Sequence, residues 1–173
     1  AAAPLLEQAV TAELREVGMG EGALRVELRD RDPGPDGADE AVFLIRPNPG
    51  LPAAPVAQTA SGGELSRVAL ALAAVAGGET LVFDEIDAGI GGETAHRVAA
   101  SLQRLARRAQ VITITHLAQI GRAADAHFLV EKIAGDPTHT RLLRLGDAER
   151  QEELERMVGG RDFLATLAGG DPS

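Results

Sequence analysis

The chain has 173 residues, about one domain with room for a real core, and 45% of them are apolar. Four Phe and no Trp or Tyr leave the core to Leu, Val, Ile and Ala and argue against base stacking on aromatic platforms, while a formal net charge of -9 opposes a polyanion partner at long range. The lack of cysteine excludes a disulfide framework, a thiol nucleophile and cysteine-ligated zinc and fits a reducing cytoplasm, and the longest apolar run, Val68 to Ala76, is far too short to span a bilayer.

The sequence opens on Ala1-Ala2-Ala3 without Met and without a basic region ahead of an apolar stretch, which suggests a segment of something longer and no signal peptide. Leu5, Leu6, Ala9, Ala12 and Leu14 fall near helical spacing among glutamates, so residues 4–17 read as an amphipathic helix stopped by Gly18 and Gly20. Ala23 to Arg29 alternates apolar and charged residues and Ala41 to Ile45 is apolar, giving two strands around the loop 32–37. Pro47 to Thr59 carries four prolines and reads as irregular.

A helix is expected from Glu64 to Ala76, with Leu65, Val68, Ala69 and Leu72 as its buried stripe and Gly77-Gly78 as its stop. There follow a buried strand at Thr80–Phe83, a helix at 93–108, a second strand at Val111–Thr115, a short helix at Leu117–Ala124 and a third strand at Ala126–Lys132. This alternation predicts an α/β fold with a mostly parallel sheet flanked by helices. A strand near Thr140–Leu145, a helix at Asp147–Val158 and a helical tail around Phe163–Leu167 complete the chain.

In an open parallel sheet ligands bind beyond the carboxyl ends of the strands, where Asp84, Glu85 and His116 fall. Transfer of a phosphoryl group to water needs a carboxylate that holds a magnesium shell and a group that orients or deprotonates the attacking water. Asp84 suits the first task and Glu85 the second, and a histidine at a neighbouring strand end can hydrogen-bond a terminal phosphate. Ser61-Gly62-Gly63 places a hydroxyl and bare backbone amides at a helix N-terminus, where the dipole favours an anion; a simple helix cap explains the same residues. Yet no Gly-x-x-x-x-Gly-Lys-Ser/Thr loop occurs, and the only lysine is Lys132. Arg97, Arg104 and Arg108 recur at helical spacing in a stretch without acidic residues, either a solvated face or a local DNA contact.

Ala60-Ser61-Gly62-Gly63-Glu64-Leu65-Ser66-Arg67 resembles the signature motif of ABC-type ATPases, Leu81-Val82-Phe83-Asp84-Glu85 the Walker B strand, Asp87-Ala88-Gly89-Ile90-Gly91-Gly92 the D-loop, and Ile112-Thr113-Ile114-Thr115-His116 the switch-histidine strand. Within that superfamily the wording is similar to the RecN family of SMC-like bacterial DNA repair proteins, through these segments together with Leu117-Ala118-Gln119-Ile120, Asn48-Pro49-Gly50 and Met157-Val158-Gly159-Gly160. The resemblance implies the C-terminal lobe of an ATPase head whose phosphate-loop lobe lies far upstream across a long coiled coil. Residues 1–20 would be the end of the returning coil and 21–173 the lobe.

The resemblance further implies ATP and Mg2+ as cofactors. Asp84 would support the metal, Glu85 would act as catalytic base, and His116 would sense the terminal phosphate. Ser61, Gly62, Gly63 and Glu64 would reach the nucleotide of an opposing head, and Asp87 would belong to the dimer-facing loop. Expected partners are the Walker A lobe of the same protein, a second head and, through the complete protein, DNA in the cytoplasmic nucleoid, with no membrane. The fragment by itself would be inactive, with an exposed edge or apolar sheet face. A transporter nucleotide-binding subunit shares this chemistry, but such subunits carry Gln where this chain has Glu64 and Pro-Thr where it has Ile86-Asp87. A non-catalytic interaction lobe is the other alternative, and a DNA-reading helix at 117–124 has only Arg122 to offer a phosphate.

Overall fold

A computed structural model describes residues 2–46, 50–59, 61–135 and 137–160, which form two compact units dividing between Thr115 and His116. The first unit runs α1 (Ala2–Glu16), β1 (Ala23–Gly34), β2 (Gly37–Arg46), β3 (Ala54–Pro55), α2 (Val56–Thr59), α3 (Gly62–Ala76), β4 (Thr80–Phe83), α4 (Gly92–Ala106) and β5 (Gln110–Thr113). The second contains α5 (Ala118–Ala123), β6 (Phe128–Ile133), β7 (His139–Arg144) and α6 (Asp147–Met157).

Helix α1 ends because Gly18 takes φ +78 and the Met19 amide donates back to the Leu14 carbonyl at 3.0 Å. A side chain at Gly18 would also strike Thr94, its Cβ falling 2.1 Å from Thr94 Cγ2. Val10 and Leu14 are the buried residues of α1, whereas Leu5 is 70% exposed, so the stripe is narrower than the apolar spacing implied. The helix covers the hairpin β1–β2, whose antiparallel register sets Leu24 opposite Ile45 and Val26 opposite Phe43. It also occupies donors of the β1 backbone, since the amides of Leu24 and Val26 donate to Thr11 Oγ1 at 3.1 Å and Glu7 Oε1 at 2.7 Å. Side chains of a helix thus blunt a strand edge that would otherwise be open to pairing.

The hairpin is longer than its alternation predicts, because strand pairing resumes at Gly34–Gly37 after a register shift beyond Asp30. Within the proline-rich stretch, Ala54–Pro55 pairs with β2 and Val56–Thr59 forms one helical turn; residues 47–49 lie outside the described residues, as does the tail expected at 163–167.

The core of the first unit joins Val10 and Leu14 to Leu24 and Ile45, to Val68, Leu70 and Ala71 of α3, and to Val98, Leu102 and Leu105 of α4. The buried side of α3 differs from the expected stripe: Gly63, Arg67, Val68, Leu70, Ala71 and Ala73 are buried, while Leu65 and Ala69 are exposed. From Val68 onward the helix is apolar all round, so periodicity does not choose a face, and its packing against α1 and α4 does.

Strands β4 and β5 pair in parallel, Val82 opposite Ile112, with α4 as the crossover. Val82, Ile112 and Ile114 are 64%, 47% and 59% exposed, so this sheet shows the apolar face that was expected. The third strand of the series, β6, pairs instead antiparallel with β7 across a five-residue connection, Val130 opposite Leu142. A short hairpin loop is the closure with the smaller entropy loss. In that second unit α5 packs on α6, and Arg150 donates to the carbonyls of Gly121, Arg122 and Ala124 at the end of α5.

Candidate functional site

The first turn of α3 is a reciprocal cap. Ser61, in extended conformation, accepts from the Glu64 amide at 3.4 Å, and Glu64 Oε2 accepts from the Ser61 amide at 2.9 Å. This arrangement follows from Ser-x-x-Glu ahead of an apolar run. Ser61 and Gly62 are exposed, Glu64 is half-buried and Gly63 is buried. The cap accounts for these residues, and Ser61 and Gly62 stay exposed at the positive end of the helix dipole.

The chain leaves β4 at Phe83 and turns sharply through Asp84-Glu85-Ile86-Asp87-Ala88. Ile86 is fully buried, Asp84 and Glu85 are exposed, and Asp87 is 4% exposed. Asp84 Oδ1 accepts from the Glu85 amide at 2.9 Å, and the Ala88 amide donates to the Glu85 carbonyl at 3.0 Å. Glu85 is the one non-glycine residue at positive φ among the described residues, at +54. A residue with a Cβ in the left-handed region is strained by about 1–2 kcal/mol, and such outliers cluster where chemistry fixes the geometry.

The turn and the helix terminus are in direct contact. A Cβ at Gly62 would lie 2.4 Å from Glu85 Oε2, and one at Gly63 would lie 2.7 Å from the Ala88 carbonyl oxygen. Close approach to backbone requires glycine at 63, whereas at 62 the atom met is the end of the exposed Glu85 side chain, which can swing aside. Ser66 Oγ donates to the Asp84 carbonyl at 2.5 Å, and Arg67 Nη1 donates to the Ala88 carbonyl at 3.1 Å. Burial depresses the pKa of Arg67, partly opposed by Glu64, and its Nε has no hydrogen-bond partner among the described residues. On the far side of the turn the Asp87 carboxylate accepts the Thr115 hydroxyl.

Thus Ser61, Gly62, Gly63, Glu64, Asp84, Glu85 and Asp87 form one cluster in the first unit. His116, exposed, is the first residue of the second unit and follows Thr115 directly in the chain. Sequence reasoning gave no role to Ser66, Arg67 or Thr115; the available signal was an arginine interrupting the apolar side of α3. The arginine row on α4 resolves into internal contacts: Arg97 with Glu93 at 2.6 Å, Arg104 with Glu13 at 3.3 Å, and Arg108 with the carbonyls of Ala73 and Ala74. Its partners lie outside the stretch that looked free of acids.

The donor set suits a magnesium ion held mainly by a nucleotide. Mg2+ commonly takes one or two protein carboxylates and completes its shell with phosphate oxygens and water, and Asp84 offers one exposed carboxylate at a strand end. No group of three or more His, Cys, Asp or Glu fit for a metal occurs among the described residues.

No protein-family profile matches the chain. It is 43% identical over 183 residues to the DNA repair protein RecN of Streptomyces coelicolor, covering 95% of this chain and 32% of that protein. It is 45% identical over 169 residues to RecN of Treponema pallidum and 44% over 172 residues to RecN of Deinococcus radiodurans, in each case covering 30% of the relative. The chain therefore spans about a third of the length of these relatives.

Among solved structures it is similar to an Smc head domain with coiled coil and joint from Pyrococcus yayanosii, at TM-score 0.63 and 23% identity over 87% of this chain and 28% of that one. A chain from a study of ATP-driven dimerization and DNA-stimulated activation of SMC ATPases aligns at TM-score 0.58 and 20% identity over 92% of this chain and 95% of its own. At such identities the likeness establishes the fold. The chain is thus similar along nearly its whole length to about a third of RecN, and its fold is similar to that of SMC head structures.

Proposed function

We propose that this chain is the signature and Walker B lobe of an ATPase head that works, within a longer polypeptide, in DNA repair. The observation that carries the reading is the contact between the capped Ser61-Gly62-Gly63 terminus and the Asp84-Glu85 turn, an anion-favouring helix end beside two exposed carboxylates. RecN similarity supports the repair context, and SMC-type head structures support the architecture.

In this reading Asp84 holds one position of the magnesium shell, and Glu85 accepts a proton from the attacking water. The bound metal and nucleotide supply charge neutralisation at the transferring phosphate. His116 donates a hydrogen bond to the terminal phosphate. Ser61, Gly62, Gly63 and Glu64 present their helix end to a nucleotide carried by a second head, and Asp87 belongs to the loop that faces that head. The phosphate-loop lobe completes the nucleotide site and covers the exposed β4–β5 face. Residues 1–20, including α1, form the foot of a coiled coil, and 21–173 the lobe proper. DNA contact belongs to the complete protein, in the bacterial cytoplasm. No helix among the described residues is long and apolar enough to cross a membrane.

The test is magnesium-dependent ATP hydrolysis by this chain alone and after adding the phosphate-loop lobe, with Glu85→Gln as control. Turnover only in the mixture, lost in the variant, is the expected result. Robust turnover by the chain alone would show a complete nucleotide cradle here and overturn the reading, and no turnover in a mixture that binds ATP would favour a non-catalytic interaction lobe.

A further inference from the structure

The function proposed above gives two tasks to one small region, and the inference rests on that reading. Ser61 and Gly62-Gly63 attend to the nucleotide of an opposing head, whereas Glu85 acts on the nucleotide of its own. Helical periodicity joins the two tasks. Residues four apart lie on one ridge of a helix. On the ridge of Gly62 and Ser66, the glycine gives room to the Glu85 carboxylate and the serine hydroxyl holds the Asp84 carbonyl at 2.5 Å. On the ridge of Gly63 and Arg67, both residues meet one atom, the Ala88 carbonyl oxygen, the glycine by close approach and the guanidinium by a hydrogen bond of 3.1 Å.

The turn 84–88 is therefore gripped at its first and last residues by α3, and Asp87 is held from the other side by Thr115. Between these fixed points stands Glu85 at φ +54, a conformation that persists only when surroundings enforce it. Stability alone does not account for Arg67. It is 7% exposed, and its Nε lacks a partner among the described residues. Burying a charge with an unpaired donor costs stability rather than adding it.

We propose that Arg67 is a positioning residue for Glu85: by anchoring the Ala88 carbonyl to the second turn of α3 it makes the signature terminus and the catalytic carboxylate move as one body. Contact of an opposing nucleotide with Ser61–Gly63 is thereby transmitted to the base of the same chain, so that engagement of one site readies the other.

The test uses the protein carrying this chain together with its phosphate-loop lobe, with MgATP as probe. Arg67→Gln is expected to lower kcat by about tenfold to a hundredfold, as displacement of a catalytic group by about 1 Å does, while KM changes by less than about threefold. ATP-dependent head association, measured in a Glu85→Gln background, is expected to persist, and Arg67→Lys, which keeps one donor, to recover part of the rate. Arg108→Gln, at the other end of α3, should lower the melting temperature without lowering kcat per folded molecule.

A folded Arg67→Gln protein with unchanged kcat overturns the proposal, as does an equal loss of kcat in Arg108→Gln. Should Arg67→Gln fail to fold, Ser66→Ala decides by the same criterion. Hydrogen exchange of the Ala88 amide in this chain without nucleotide gives a reading independent of turnover: faster exchange in Arg67→Gln is expected, and unchanged exchange overturns the clamp. Absence of MgATP hydrolysis in the parent protein would count instead against the proposed function, leaving the exchange result to judge the clamp.

Discussion

Helix α3 is held by an arginine at each end, and the two ends differ in kind. At its C-terminal end Arg108 donates to the carbonyls of Ala73 and Ala74 in the last turn, the first of which also accepts the Gly77 amide at 2.8 Å, and its charge complements the negative pole of the dipole. Gly77 closes the same end at φ +80 with open space where a side chain would stand. At the N-terminal end Arg67 is buried and incompletely partnered, Gly63 is packed against backbone, and the neighbouring Glu85 is strained. The first end is what helix physics would choose for stability. The second departs from those rules at three adjacent positions, which is where proteins keep function.

That contrast is sharpest in turnover. Glu85→Gln removes the proposed base and should lower ATP hydrolysis by the complete protein at least about a hundredfold while ATP binding persists, and equal turnover would remove Glu85 from the mechanism. The next largest effect is structural. Gly63→Ala puts a methyl 2.7 Å from the Ala88 oxygen, an atom of the backbone that cannot swing aside, and should destabilise the chain by about 1–3 kcal/mol in urea unfolding. Gly77→Ala meets no atom within 4 Å, and its loss of about 1–3 kcal/mol comes from the backbone alone, since φ +80 with ψ -168 is a region kept to glycine. A Gly63→Ala protein as stable as its parent would remove the close approach from the N-terminal end.

A change of opposite sign is expected at the strained residue itself. Glu85→Asn, with a side chain more tolerant of positive φ, should raise the unfolding free energy by up to about 1 kcal/mol even as it abolishes the carboxylate. A decrease would mean that contacts of the glutamate outweigh its strain.

The smallest expected effect lies in the second unit, where Arg156 hydrogen-bonds Glu153 at 2.6 Å and holds its carboxyl below the usual carboxylate range, against the opposing influence of burial. A depressed folded-state pKa contributes stability above the ordinary carboxylate pKa, and this is lost as pH falls through that value toward the folded one. Glu153→Gln should therefore flatten the decline of thermal stability on the acid side of that range and leave its slope near neutral pH unchanged.

Much of this region could be read before it was seen folded. Ser61-x-x-Glu64 announced a capped helix, Thr80 to Phe83 a strand, and the acid pair after it the end of that strand, because capping, alternation and chain reversal are governed by neighbours in sequence. The phase of α3 could not be read: with Leu, Val and Ala on every side, burial of Leu70 in place of Leu65 depends on which side α1 and α4 occupy. The arginines of α4 were equally opaque, since Arg104 meets Glu13 from 91 residues away. Likewise the antiparallel partner of β6 depended on whether the nearer hairpin or the existing parallel pair would take it.

Sequence alone determined the caps, the turns, the two acids at a strand end and the motif order that marks the chain as RecN-like, since each is a short-range pattern whose physics is complete within a few residues. Only the tertiary structure decided that Gly62 makes room for Glu85 and that Gly63 and Arg67 meet one carbonyl oxygen of the same turn. Those contacts join segments some twenty residues apart, and a contact between remote segments is set by how helices and strands pack, which no local pattern specifies.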